Sequence, residues 1–174
     1  MARKRLEEKK NEKRRLEEEK FNSMSREEQM MSIAKSNKNQ LKVNMILKTK
    51  DLTEKVMDVL SKDKSDEVRS ALAEREGIPD SVVETLLNDN SIFVRKSLLN
   101  NKSLDNSVIE RLSKDEHPLV RTAVANCKRT SSEILDSLVW DLSTRVRAAI
   151  IRNPNATKEA LEKLRKLNPE LFLD

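Results

Sequence analysis

The chain reads as an all-α protein, an α-solenoid of about five helix pairs behind a charged N-terminal helical arm, and three observations lead there. A Val-Arg pair recurs at Val68-Arg69, Val94-Arg95, Val120-Arg121 and Val146-Arg147, each 26 residues after the last. An Asp stands five residues before every one of these valines, at Asp63, Asp89, Asp115 and Asp141. One Gly and four Pro among 174 residues, with 37% charged side chains, suit helices on short loops and not a sheet protein full of tight turns. A period carried by several positions at once means stacked units whose apolar faces close only against their neighbours.

The first segment, 1–24, is the arm. Ala2, Leu6 and Leu16 are the only apolar residues of MARKRLEEKKNEKRRLEEEK beyond Met1, too few for a seam. Glu and Lys or Arg three and four apart favour a solvated helix held by weak ion pairs. A second reading is an arm that meets phosphate or an acidic protein surface through Arg3, Lys4, Arg5, Lys9, Lys10, Lys13, Arg14 and Arg15. Without aromatic residues for stacking, a nucleic-acid contact there would be mainly to phosphate and salt-sensitive. The net charge of +5 belongs to this end: residues 1–50 hold 15 Lys or Arg against 8 Asp or Glu, while residues 51–174 hold 20 against 22.

Residues 25–62 form entry helices and a degenerate first repeat. Ser25 and Glu28 fit a capping box, and Met30, Ile33 and Ala34 supply one apolar face. The stretch 36–39 ends that helix, and the next runs roughly from Gln40 to Lys48. On the repeat frame, Ile46 and Leu47 fall where Leu72 and Ala73 do, and Val56, Met57 and Leu60 where Val82, Val83 and Leu86 do, although the Asp and Val-Arg are missing, as is common for a terminal unit.

Four full units follow, 63–88, 89–114, 115–140 and 141–166, with 167–174 as a C-terminal cap. A first helix begins after Ser65, Ser91, His117 or Ser143, and Pro118 sits where a missing N–H costs nothing. Its inward face is Val68, Ala71 and Leu72 and their equivalents. The loops after it carry Gly77, Asn101, Asn126 or Asn153 near where a left-handed C-cap is expected. A second helix starts near Pro79, Asp105, Ser131 and Thr157 and is held inward by Val82-Val83-Leu86 and its counterparts.

The last unit, from Asp141 through Val146-Arg147 and Asn153-Pro154 to Thr157, Leu161 and Leu164, resembles the variant leucine-rich repeat pattern D-x4-VR-x2-[VL]-A-x-NP-x-T-x3-L-x2-L. The six-residue spacing from Asp to Arg is also similar to that of HEAT repeats. The likeness spans about residues 40–166 and implies an α-solenoid that binds partners. It further implies a structural ladder in which Arg69, Arg95, Arg121 and Arg147 pair with Asp63, Asp89, Asp115 and Asp141 to tie neighbouring units together. Only the last unit keeps the Asn-Pro. The Cys cluster that holds iron and sulfur in some variant-repeat proteins is missing, so no cofactor is carried over.

The residues give little support to catalysis. His117 is the only His and occupies a helix start; Cys127 is the only Cys, beside Lys128 and Arg129, with no second His to act as base. One Gly allows no phosphate loop, and no metal-ligand cluster is available. No apolar run approaches the roughly 18 residues that span a bilayer, and the N-terminus has no apolar core of a signal peptide. The expectation is a cytoplasmic, non-catalytic adaptor for a protein partner, with no cofactor, membrane or small-molecule substrate. The alternative is a nucleic-acid- or ribosome-associated factor acting through the arm. Trp140 replaces a polar residue in every sibling unit: either its indole folds over the helix end and covers the loop to Asp141, or with Val139 and the equivalent Leu87 it forms an apolar partner-binding spot.

Overall fold

A computed structural model describes residues 2–172, with side chains described from Arg5 onward, so the side chains of Arg3 and Lys4 lie outside the described residues. The described residues form helices and short connections, without a strand. The helices are α1 (Ala2–Ser23), α2 (Arg26–Ala34), α3 (Asn39–Lys48), α4 (Glu54–Ser61), α5 (Asp66–Glu74), α6 (Asp80–Leu87), α7 (Ile92–Ser97), α8 (Asn106–Ser113), α9 (Pro118–Asn126), α10 (Ser132–Leu138), α11 (Thr144–Ile151) and α12 (Lys158–Leu167). Two 3-10 turns, Leu98–Asn100 and Pro169–Phe172, extend α7 and follow α12. None of the helices is long and apolar enough to cross a membrane.

Each 26-residue unit contributes one odd-numbered and one even-numbered helix, and α3 with α4 supplies the pair expected from the degenerate first repeat. Odd-numbered helices neighbour one another in chain order: α3 on α5, α5 on α7, α7 on α9, α9 on α11. In the second row α2 packs on α4, α4 on α6 and α8 on α10. Between the rows runs one core. The valines of all four Val-Arg pairs are fully buried in it, as are Leu72, Leu98, Val124 and Ile150 one turn on. Burying a Val or Leu side chain yields about 1.5–3 kcal/mol, and repetition of these positions makes the core continuous along the stack.

Helix starts follow the local chemistry. Ser25 and Glu28 form the reciprocal capping box, and Pro118 occupies the first turn of α9. Pro79, Asp105, Ser131 and Thr157 are the residues that precede α6, α8, α10 and α12. Ser65, Ser91 and Ser143 do precede first helices, but their hydroxyls cap nothing. The Asp two residues earlier fixes the turn into the helix: Oδ1 of Asp63, Asp89, Asp115 and Asp141 accepts the N–H of the N-cap residue itself, Ser65, Ser91, His117 or Ser143, at 2.8–2.9 Å. His117 alone caps with its side chain, Nδ1 accepting from the Leu119 N–H at 3.2 Å.

The loops depart from expectation. Among the described residues only Gly77 has positive φ, at 72°, so Asn101, Asn126 and Asn153 are not left-handed caps. Asn101 and Asn153 instead turn inward to neighbouring units, where buried carbonyls need donors.

Candidate partner interface

Two ladders of polar contacts join the units and leave specific surfaces free. In the first, each Arg reaches forward to the Asp 20 residues on, in the next unit, and not to its own. Arg69 Nε and Nη2 donate to Asp89 at 2.5 and 2.9 Å, Arg95 to Asp115 at 2.7 and 2.9 Å, and Arg121 to Asp141 at 2.6 and 3.0 Å. The remaining Nη1 donates to the backbone carbonyl of the Asp six residues earlier, which accounts for the six-residue spacing. One Asp carboxylate thus starts a helix and anchors the preceding unit at once. The hydrogen bond to that Asp raises the affinity of Arg69, Arg95 and Arg121 for their protons, against the opposing effect of burial. Burial pushes the Asp141 carboxyl up, but bonds from Arg121 and the Ser143 N–H and the charges of Arg121 and Arg147 outweigh it and hold it below the usual range.

Both ends of this ladder differ from the expected pairing. Asp63 is met by the buried Lys42, on α3, because the degenerate unit has no Arg to offer. Arg147 has Leu167, not an Asp, 20 residues on. Its Nε donates to Asn168 Oδ1 at 2.7 Å and its Nη2 to Thr144 Oγ1 at 3.2 Å, so a neutral amide stands where a carboxylate stands in the other three units.

The second ladder was not anticipated. Asn101, fully buried, donates to the Ala73 and Arg75 carbonyls of the preceding unit. Asn153 does the same to Ala125 at 2.7 Å and Cys127 at 3.0 Å. Cys127 occupies the equivalent position in the unit between them and cannot donate twice; Arg129, two residues on, supplies the donors to Leu99, Asn101 and Leu104 at 2.9–3.0 Å. Arg75 bonds Ile46 and Lys50 in the same manner. The alternation of Arg75, Asn101, Arg129 and Asn153 hides this ladder from pattern reading, since no residue type repeats.

On the even-numbered row several of the charges pair with one another. Asp58, Glu84, Glu110, Asp136 and Glu162 hold one helical position in successive units and are all exposed. Asp58 pairs with Lys62, Glu84 with Arg111, Glu110 with Lys114, and nearby Glu159 with Lys163. On the odd-numbered row they do not. Glu67 and Glu74 on α5 are replaced by Phe93 on α7 and Asn100 in the turn that extends it, by Leu119 and Asn126 on α9, and by Arg145 on α11 and Arg152 just past its end. This row opens between α7 and α9 into a groove of about 680 Å³ lined by Phe93, Lys96, Leu119, Asn126, Cys127 and Lys128, with no carboxylate on its walls. Phe93 is 61% exposed, and the Lys96 ammonium stands 5.9 Å from the centre of its ring. Among the described residues Lys96, Lys128, Arg145 and Arg152 enter no ion pair, whereas Lys62, Arg111, Lys114 and Lys163 of the opposite row do.

The expected apolar spot around Trp140 contracts. Trp140 is 64% exposed, but Val139 and Leu87 are 1% and 8% exposed and belong to the core. Their position lies one turn beyond Leu135 and Val83, so it faces inward in these units. Ser61 and Ser113 hold it elsewhere, also buried, their hydroxyls donating back to Asp58 and Glu110 carbonyls. The exposed apolar neighbours of Trp140 are Leu142, at 96%, and Leu167, at 43%. A shallow cavity of about 220 Å³ beside Trp140 is lined by Asp141, Arg147, Leu167 and Asn168.

In the arm, Arg5, Lys9, Lys10, Lys13, Arg14 and Arg15 are all exposed, and the last three lie within 4 Å of Glu17, Glu18 and Glu19 one turn on. Gln29 ties the arm to α2, its Nε2 donating to the Phe21 and Met24 carbonyls. Among the described residues no three His, Cys, Asp or Glu side chains come together as metal ligands would. Compared with known proteins, the chain matches no family model, no curated protein and no solved structure.

Proposed function

We propose that this chain is a non-catalytic binding protein: an α-solenoid of the variant leucine-rich or HEAT-like kind that presents its odd-numbered helix row to a protein partner. The observation that carries this reading is the contrast between the rows. Lys62, Arg111, Lys114 and Lys163 on the even-numbered row stand paired with carboxylates, whereas the odd-numbered row displays a groove with apolar walls flanked by cations outside any ion pair among the described residues. Exposed aromatic and aliphatic side chains rimmed by charge mark association surfaces. The arm supports the second reading, phosphate contact, only through its outer half, because Lys13, Arg14 and Arg15 have carboxylates beside them.

Titrating single-stranded RNA and duplex DNA against the full chain and a chain lacking residues 1–20, at two salt concentrations, separates the two readings. A protein-binding module gives weak binding in both forms. Salt-sensitive, arm-dependent nucleic-acid binding would replace it with the second reading.

A further inference from the structure

We propose that the groove between α7 and α9 takes a partner's acidic peptide segment, with one apolar side chain seated between Phe93 and Leu119 and carboxylates running from Lys96 and Lys128 towards Arg145 and Arg152. This rests on the binding-module reading and adds the chemistry and polarity of the ligand.

The apolar part of the argument is the pairing of Phe93 with Leu119. They occupy one helical position in adjacent units, where siblings carry Glu67 and Arg145, and they form the rim of the groove. A side chain placed between them removes exposed apolar surface that neither unit covers by itself. The charged part is the electrostatic gradient along the row. At the two compared positions Glu67 and Glu74 stand on α5, neutral residues follow in the next two units, and Arg145 on α11 and Arg152 just past its end close the series. Glu74 accepts from the neutral donors Ser97 and Asn100, at 3.1 and 2.9 Å, and no cation pairs with it among the described residues.

That gradient fixes direction. A peptide carboxylate is repelled at α5 and attracted at α11, so the acidic residues lie on one side of the anchor. Adjacent helices pack about 8–10 Å apart, and an extended chain covers about 3.3 Å per residue. From the groove to α11 is therefore about three to six residues of peptide. Asn126, exposed at the groove, offers an amide to a peptide backbone. A nucleic acid fits less well: Phe93 is the one aromatic side chain lining this groove, and a phosphate backbone continued along the row would meet Glu67 and Glu74.

The test is selection from a phage-displayed library of random dodecapeptides on the full-length protein, followed by affinity measurements with the synthetic consensus peptide. The consensus should carry an aliphatic or aromatic residue with Asp or Glu on one side only. Its affinity should fall on the order of tenfold or more with Phe93→Asp and with the double change Lys96→Glu and Arg145→Glu. Trp140→Lys should leave it unchanged. The changed side chains lie on the surface, and thermal melting confirms that each variant folds.

Peptides without acidic residues, or peptides whose binding depends on Trp140 and not on Phe93, overturn the groove assignment while the binding-module reading stands. No enriched peptide, with single-stranded RNA bound through the same cations, overturns both. A concentration-dependent dimer in sedimentation that Phe93→Asp abolishes would make a second copy of the chain the occupant and also overturn the proposal.

Discussion

Arg95 and Asp115 meet inside the protein as a two-point ion pair, Nε to Oδ2 at 2.7 Å and Nη2 to Oδ1 at 2.9 Å, with side chains 7% and 8% exposed. They belong to successive units, so the pair is both a register mark and a joint. Removing one partner of such a pair strands the other charge, whereas surface pairs contribute little.

Arg95→Ala should therefore destabilise the fold by about 3 kcal/mol or more, and Arg121→Ala, whose side chain is 17% exposed, by about 1–3 kcal/mol. Asp115→Asn should cost less than Asp115→Ala, because the amide oxygen still accepts the His117 N–H and an Arg95 N–H, as Asn168 already does for Arg147. Urea denaturation checks the order, and equal losses for Asn and Ala would contradict it.

Acid should loosen the third joint. The folded Asp141 carboxyl titrates below its ordinary value, so the unfolded chain binds that proton more tightly. Its contribution is complete above the unfolded value of about 3.9 and is lost as pH falls through the depressed folded value. The urea midpoint should stay level from about pH 7 to about pH 5 and then drop more steeply in the parent than in Arg121→Ala. Parallel acid profiles for the two proteins would show that the Arg121 pair does not set this response.

Asn101→Ala should destabilise by about 1–3 kcal/mol, since it orphans the Ala73 and Arg75 carbonyls and removes the acceptor that Ser103 uses. Asn100→Ala, one residue away and exposed, should change the melting free energy by less than about 0.5 kcal/mol. Melting the two variants side by side decides it; similar values would remove the second ladder from the stability account.

Trp140→Lys should leave the melting temperature unchanged or slightly raised. Lys62 and Lys114 stand at the equivalent position and pair with Asp58 and Glu110 four residues back, at 2.7 and 2.8 Å, and Asp136 stands ready for the new Lys. Such a pair is worth a few tenths of a kcal/mol. Before mutation, Trp140 should fluoresce as a hydrated indole and be quenched by iodide, and a shielded, blue-shifted emission would contradict its exposure.

The helix starts at Ser25, Pro118, Ser131 and Thr157, and the placement of α5 through α12 two to each 26-residue interval, were legible from cap residues, apolar spacing and the 26-residue period. These signals are local, set within one or two helical turns, so a single chain segment displays them. The direction of the Arg ladder was not legible: each Arg is six residues from one Asp and 20 from the next, and only packing brings the distant one into reach. Val139 and Leu87 looked like surface because their siblings Ser61 and Ser113 are polar, yet a serine that bonds its own helix backbone is as buried as a valine. The second ladder had no sequence signature, because Arg129 replaces an Asn from a different position. The groove at Phe93 and Leu119 likewise arises only when helices 26 residues apart lie side by side. What the sequence determined by itself was the repeating local geometry; which charges end up matched and which remain free for a partner was decided by the stacking of one unit on the next.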